Sequence, residues 1–172
     1  MASAIVFLSG KDAEGGRQDP ALAFTRSLGA LVPAAVAGLI RDVTIAGLPR
    51  QGLGTIADHA GCGFVEADAP DDWLREALAL AKGPDCLLVR AGFVPGLGFI
   101  EELRDLEHRP NARGVFRAEP AAWHQRLAPR LAPVAAAIAP LDLWRAQERT
   151  DFQRMARGLN GRTLRTRMHR VG

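Results

Sequence analysis

Asp85-Cys86-Leu87-Leu88-Val89-Arg90-Ala91-Gly92-Phe93-Val94-Pro95-Gly96 is the stretch on which the fold turns. Gly83-Pro84 stops whatever precedes it, and a continuous apolar run, Cys86 to Val89, follows. A short unbroken run of this kind reads as a strand buried on both faces, hence central in a parallel sheet. Pro95-Gly96 makes a turn, and 97–108 has the spacing of a helix. Arg90-Ala91-Gly92 therefore stands where a central strand ends, the edge at which open α/β sheets bind ligands.

Working outward, the same alternation repeats. Ala4-Ile5-Val6-Phe7-Leu8 is a first buried strand ending at Ser9-Gly10. A Gly-rich polar stretch, 11–19, leads to Pro20, a residue favoured in a helix's first turn. Ala21, Phe24, Leu28 and Leu31 give that helix its core face. Pro33 predicts a break, with a second helical piece reaching about Ile40. A strand over 42–46, a short helix over 55–59 closed by Gly61, and a strand over 62–66 come next. Trp73–Lys82 reads as a helix capped by Asp71 or Asp72. Beyond Pro95 a fifth strand is expected at 114–116, then two alanine-rich helices near 120–139 and 140–158. Residues 162–171 fit either a last strand or a loose end. The order β-α-β-α-β-α-β-α predicts a mainly parallel sheet with helices on both faces. Residues 1–160 read as one domain and 161–172 as a basic C-terminal tail.

Composition narrows the classes. The 172 residues are 48% hydrophobic and 24% charged, as expected of one globular domain. The longest apolar candidate, 28–40, is too short for a bilayer span and is cut by Pro33 and Gly38. The first residues lack the basic region of a secretory signal, so a cytoplasmic location is expected. Cys62 and Cys86 sit in apolar stretches and read as buried free thiols. His59, His108, His124 and His169 have no ligand spacing, and Trp73, Trp123 and Trp144 read as packing residues. Of the net charge of +3, residues 149–172 contribute a strong excess, seven arginines against one acid. The remainder is slightly acidic, with fifteen basic and eighteen acidic groups.

The pieces 27–33, 39–46, 55–62, 77–82 and above all 85–103 resemble, in order and spacing, family 2 glycosyltransferases. The match runs over about residues 4–105 and returns near 115–117 and 148–162. Some short proteobacterial proteins classed as glycosyltransferases read Arg-Ala-Gly at the same turn. The resemblance implies the glycosyltransferase A-type fold and transfer of a sugar from a nucleoside diphosphate donor. It also implies acids at three stations: after the second strand, at the end of the fourth strand, and at the start of a late helix.

This sequence departs from the pattern at each. Ala46-Gly47-Leu48 follows the second strand, Arg90-Ala91-Gly92 ends the fourth, and Arg149 takes the place of the implied base in Glu148-Arg149. Asp85 precedes its strand and points to the opposite end. Mg²⁺ and Mn²⁺ prefer oxygen ligands, so no metal site and no cofactor are expected, and a nucleotide-sugar donor is the ligand to consider. Ser9, Gly10, Lys11, Gly47, Arg90 and Gly92 are the candidate nucleotide and phosphate contacts, with Glu148 and Asp151 the candidate catalytic acids. Gly15 and Gly16 lack the lysine pattern of a phosphate loop.

Three readings follow. Arg90 holds diphosphate directly, in place of a metal, because guanidinium groups pair bidentately with phosphate. Alternatively, catalysis is lost and the domain is a binding or partner module. Or the Arg-rich tail meets an anionic surface, nucleic acid or lipid headgroups.

Overall fold

The computed structural model describes residues 1–9, 19–120, 123, 127, 131–147 and 151–171. Eight strands form one sheet: β1 (Ala2–Phe7), β2 (Ile40–Gly47), β3 (Gly63–Glu66), β4 (Asp85–Arg90), β5 (Phe93–Pro95), β6 (Gly114–Ala118), β7 (Val134–Pro140) and β8 (Arg162–Arg170). Their order is β3-β2-β1-β4-β7-β6-β8-β5. β1, β2, β3 and β4 pair in parallel, as do β6 and β8. β7 runs antiparallel to β4 and β6, and β5 antiparallel to β8. The sheet is thus mainly parallel, as expected, with two reversed strands. The described helices are α1 (Pro20–Val36), α2 (Leu53–Ala60), α3 (Pro70–Leu80), α4 (Phe99–Glu107), α5 (Leu141–Arg145) and α6 (Phe152–Gly158).

Register shows that helices cover both faces. Phe7 pairs with Arg90, and its ring meets Phe152 of α6 at 5.0 Å. Val89 pairs with Ala136 and Ala136 with Phe116, whose ring lies 5.1 Å from Phe99 of α4. Val89 and Arg90 point to opposite faces because side chains alternate along a strand. α6 and α4 therefore lie on opposite sides of the sheet. Cys86–Val89 is completely buried, which accounts for its unbroken apolar character.

Several local expectations are corrected. Pro33 lies inside α1 without breaking it, and the helix ends at Val36 instead of near Ile40. Asp71 and Asp72 occupy the first turn of α3, while the cap is Ala69 and Pro70 opens the helix. The alanine-rich run is not helical at 134–139: it is β7. Alanine favours helices, but each of Ala135, Ala136, Ala137 and Ala139 is fully buried between β4 and β6, and tertiary packing overrides propensity. The helix expected over 140–158 is two helices, α5 and α6, the second capped by Asp151. Short β5 falls where only a turn was expected.

Residues 162–170, set apart above as a tail, contribute β8, which sits inside the sheet between β6 and β5. Leu164, Thr166 and Met168 are buried on one side while arginines alternate with them on the other. That alternation is the signature of a strand with one apolar face. Trp73 and Trp144 are core residues; the Trp144 indole donates to the Cys86 carbonyl at 2.9 Å. Trp123, in contrast, is exposed. Among the described residues no helix is long and apolar enough to cross a membrane.

Candidate functional site

A cleft of about 1020 Å³ opens at the carboxyl ends of β1 and β4. Phe7, Ser9 and Arg90 form its base, Trp73 and Leu74 of α3 one wall, and residues 131–134 with α6 the other. The Phe7–Phe152 edge contact fixes α6 over the strand ends. Gln153 adds a second tie, accepting from the Val134 N–H at 3.0 Å and donating to the Val134 carbonyl at 2.6 Å. One side chain thereby satisfies both backbone groups of the first residue of β7.

Arg90 is half-buried. Its Nη2 donates to Ser9 Oγ at 3.3 Å, and its guanidinium lies 5.1 Å from the centre of the Phe93 ring. Both contacts hold the group at the strand end. The turn behind it is locked to α1. The Gly92 N–H donates to Ser27 Oγ (3.0 Å) and to the Ala23 carbonyl (3.2 Å), and Ser27 Oγ donates to the Phe93 carbonyl at 2.9 Å. Gly92 has φ +81°, a conformation that favours glycine.

The cleft thus brings together Ser9, Arg90 and Asp151 of the expected residues. Gly92 supports the turn, with its N–H directed to α1. Gly47 ends β2, its carbonyl accepting from the Ala67 N–H at 3.2 Å, and it does not line the cleft. Gly10, Lys11 and Glu148 lie outside the described residues, as do Asp12, Gly15, Gly16 and Arg149. Asp85 lies at the amino end of β4, paired with Pro140, and burial raises its carboxyl above the ordinary range.

Arg117, Arg154 and Arg157 also line the cleft. Arg117, on β6, donates from Nη1 to the Ala132 carbonyl at 2.7 Å. Arg154 and Arg157 stand about one turn apart on α6, both exposed. Their spacing marks a basic helical edge in the sequence, but only the fold turns that edge toward Arg90. Arg117 carries no such local signal.

Among the described residues, four arginines face two acids, Asp71 and Asp151, around this cleft. Asp151 Oδ1 accepts the Arg154 N–H at 2.8 Å as the N-cap of α6. A divalent ion, implied by the resemblance, needs several oxygen ligands. The two carboxylates among the described residues, one of them already committed to a helix end, do not by themselves supply such a set. The thiols offer no nucleophile here: burial raises both Cys62 and Cys86, and Cys86 lies deep in β4.

No family model and no curated protein matches the sequence. Solved structures do match the fold. The putative glucose-1-phosphate thymidylyltransferase of Bacillus anthracis, solved with sucrose, superposes with TM-score 0.63 at 6% identity, over 96% of this chain and 88% of that one. HddC from Yersinia pseudotuberculosis, complexed with GMP-PN, gives 0.59 at 7%, over 98% and 92%. A nucleotidyl transferase from Methanothermobacter gives 0.58 at 16%, over 99% and 87%. Two of these neighbours are named as a putative thymidylyltransferase and a nucleotidyl transferase, so the resemblance to family 2 glycosyltransferases narrows to a shared architecture. The chain has the fold of nucleotide-diphospho-sugar transferases and nucleotidyltransferases.

Proposed function

We propose that this domain binds a nucleoside diphosphate, free or as a nucleotide-sugar, in the cleft at the ends of β1 and β4. Arginine, in place of a metal held by carboxylates, neutralises the diphosphate. The observation that carries this reading is the gathering of Arg90, Arg117, Arg154 and Arg157 around one cleft. Two structural neighbours add support, since one was solved with a guanine nucleotide analogue and the other is named as a thymidylyltransferase. Guanidinium groups give strong charge-assisted bonds to phosphate oxygens. Calorimetric titration with the common nucleoside diphosphates, in the presence of a chelator, tests it. Binding of one of them without metal, lost in Arg90→Gln, is the expected result. No binding of any, with or without Mn²⁺, rejects it.

A second observation bears on catalysis. Sugar transfer with inversion needs a base near the acceptor hydroxyl, and the Asp151 carboxylate is engaged as a helix cap. This favours a domain that binds a nucleotide without transferring a sugar, or that does so slowly. Turnover of a nucleotide-sugar by the pure protein, abolished in Arg90→Gln, excludes the non-catalytic reading.

A further inference from the structure

Helix α1 is apolar on two faces. One packs on the sheet, where Ala23, Phe24, Ser27, Leu31 and Ala34 are buried. The other presents Leu28, Val32 and Ala35 at helical spacing to a groove of about 770 Å³ between α1 and α2. Val43 of β2 is the floor of that groove, and Ile56 of α2 its far wall. Val32 is 54% exposed and Val36, one turn on, 83%. Arg26 is the single charged residue among the seventeen of α1. A helix at a protein surface normally turns charged groups outward, and one that is apolar all round has packing partners on both sides.

Gly29 lies in the same groove. A glycine inside a helix weakens it relative to alanine. Yet a Cβ at Gly29 would meet no described atom within 4 Å, so packing inside the chain does not require the glycine there. The distance between two packed helices is set by the side chains at their contact, and a glycine allows the closest approach.

The face fits a second copy of itself. The ridge of Val32 and Val36 stands beside the groove that would receive it, which is the self-complementarity a two-fold contact needs. The near absence of charge along α1 removes like-charge repulsion between copies. The seventeen residues of α1 extend about 26 Å, and with α2 alongside the face is about 20 Å wide. The pair would bury about 500 Å² on each copy and about 1,000 Å² in all, the lower limit for a specific interface. A membrane surface fits less well. An interfacial helix carries basic residues on its polar face, whereas the other face of α1 is in the core, and Arg41 at the end of the groove lies 3.5 Å from Asp42.

We infer that the α1–α2 face is a homodimer interface, in which two α1 helices cross at Gly29 about a two-fold axis and the two α1–α2 pairs form a four-helix arrangement. The chain steps from β1 to β2 to β3 in one direction and returns to β4 in the other. Right-handed crossovers therefore place α1 and α2 on one face of the sheet and α3 on the other. The dimer leaves the cleft beside α3 open, and the inference is independent of what that cleft binds.

Sedimentation velocity on the full chain tests it. An interface of this size is expected to give a monomer–dimer equilibrium in the micromolar range. Val32→Asp and Val36→Asp should each raise the dissociation constant at least about tenfold, since each buries an unpaired charge. Both positions are exposed in the single chain, so one reports if the other fails to fold. Gly29→Ala should raise the melting temperature of the monomer while weakening the dimer; a dimer it leaves unchanged overturns the crossing at Gly29. Cys62 lines the groove and is half-buried, whereas Cys86 is fully buried, so maleimide labelling of Cys62 locates the contact. Labelling should slow as the concentration of wild-type protein rises, and not in Val32→Asp. A dimer that leaves Cys62 labelling unchanged uses another face and overturns the inference. A chain that stays monomeric throughout also overturns it, whether the groove is empty, holds a co-purified apolar molecule seen by mass spectrometry, or captures anionic vesicles.

Discussion

The two halves of the sheet are built on different rules. β1 to β4 are parallel, joined by helices, and filled with Ile5, Ile45, Leu87 and Leu88 at full burial. β5 to β8 mix directions, and the strand that joins the halves, β7, is mostly alanine. The first half follows the local logic of a crossover unit, in which strand and helix come in turn along the chain. The second is stitched by long-range pairing: β8, last in sequence, inserts between β6 and β5. Charge divides the same way. The first half brings Arg90 to the cleft, and the second brings Arg117, Arg154 and Arg157.

The seam between the halves offers the largest test. Leu88 of β4 is the register partner of Ala137 of β7, both fully buried. A large residue on one side is matched by a small one on the other, as close packing requires. Leu88→Ala is expected to cost about 2–5 kcal/mol, and Ala137→Leu about 1–3 kcal/mol from overpacking. The double variant should recover part of the loss, because the residues touch and their effects couple. Urea unfolding of the four proteins measures this. Full additivity would show that the halves are not packed as tightly as the alanines of β7 imply.

The same difference explains what could be read from the residues. The strand 86–89, its terminal Arg90 and the parallel order of the first half were legible because continuous burial and punctuation by Gly83-Pro84 are local signals. Ala135–Ala139 misled, since nothing local tells a small-residue strand from an alanine helix when the partner strands are distant in sequence. Residues 162–170 were ambiguous because the alternation of Leu164, Thr166 and Met168 with arginines competes with the look of a basic tail. At the candidate site, the place of Ser9 and Arg90 at strand ends was legible, and both line the cleft. Arg117 was missed because its cleft position depends on the pairing of β6 with β7. Asp151, singled out as a candidate acid, lines the cleft as the N-cap of a helix.

Arg90 and the three arginines of the second half then ask which half dominates binding. Hydrogen bonds to charged groups contribute about 1.5–3 kcal/mol. Arg90→Gln is therefore expected to weaken nucleoside diphosphate binding by about 10- to 100-fold, with little change in stability because its side chain is only half-buried. Arg157→Gln, exposed on α6, should lose less than about fivefold, since solvent screens it. Titration calorimetry compares them. The reverse ranking would move the diphosphate to the α6 wall and make the second half the principal one.

Gly92 gives a smaller effect, chiefly on stability. Its φ of +81° places a side chain in the left-handed region, at about 1–2 kcal/mol for a residue other than glycine. Gly92→Ala should lower the unfolding free energy by that amount. Because Gly92 holds Arg90 against α1 through Ser27, some loss of nucleotide affinity should accompany it. A variant that keeps affinity while losing stability would show that Ser9 and Phe93 suffice to place Arg90.

Asp151 is the smallest test and the one that separates a structural acid from a chemical one. As an N-cap it accepts the Arg154 N–H at 2.8 Å, a role worth about 0.5–2 kcal/mol when the cap is replaced by alanine. Asparagine caps nearly as well as aspartate, so Asp151→Asn should stay within a few tenths of a kcal/mol of the parent while Asp151→Ala loses about 1 kcal/mol. Both changes remove a negative charge from an arginine-lined cleft, so diphosphate binding should hold or tighten slightly in each. A general base behaves otherwise: asparagine cannot take a proton, so Asp151→Asn would then keep stability and binding yet abolish any sugar transfer or donor hydrolysis. That pattern would restore to the second half of the molecule the catalytic acid that its capping geometry argues against.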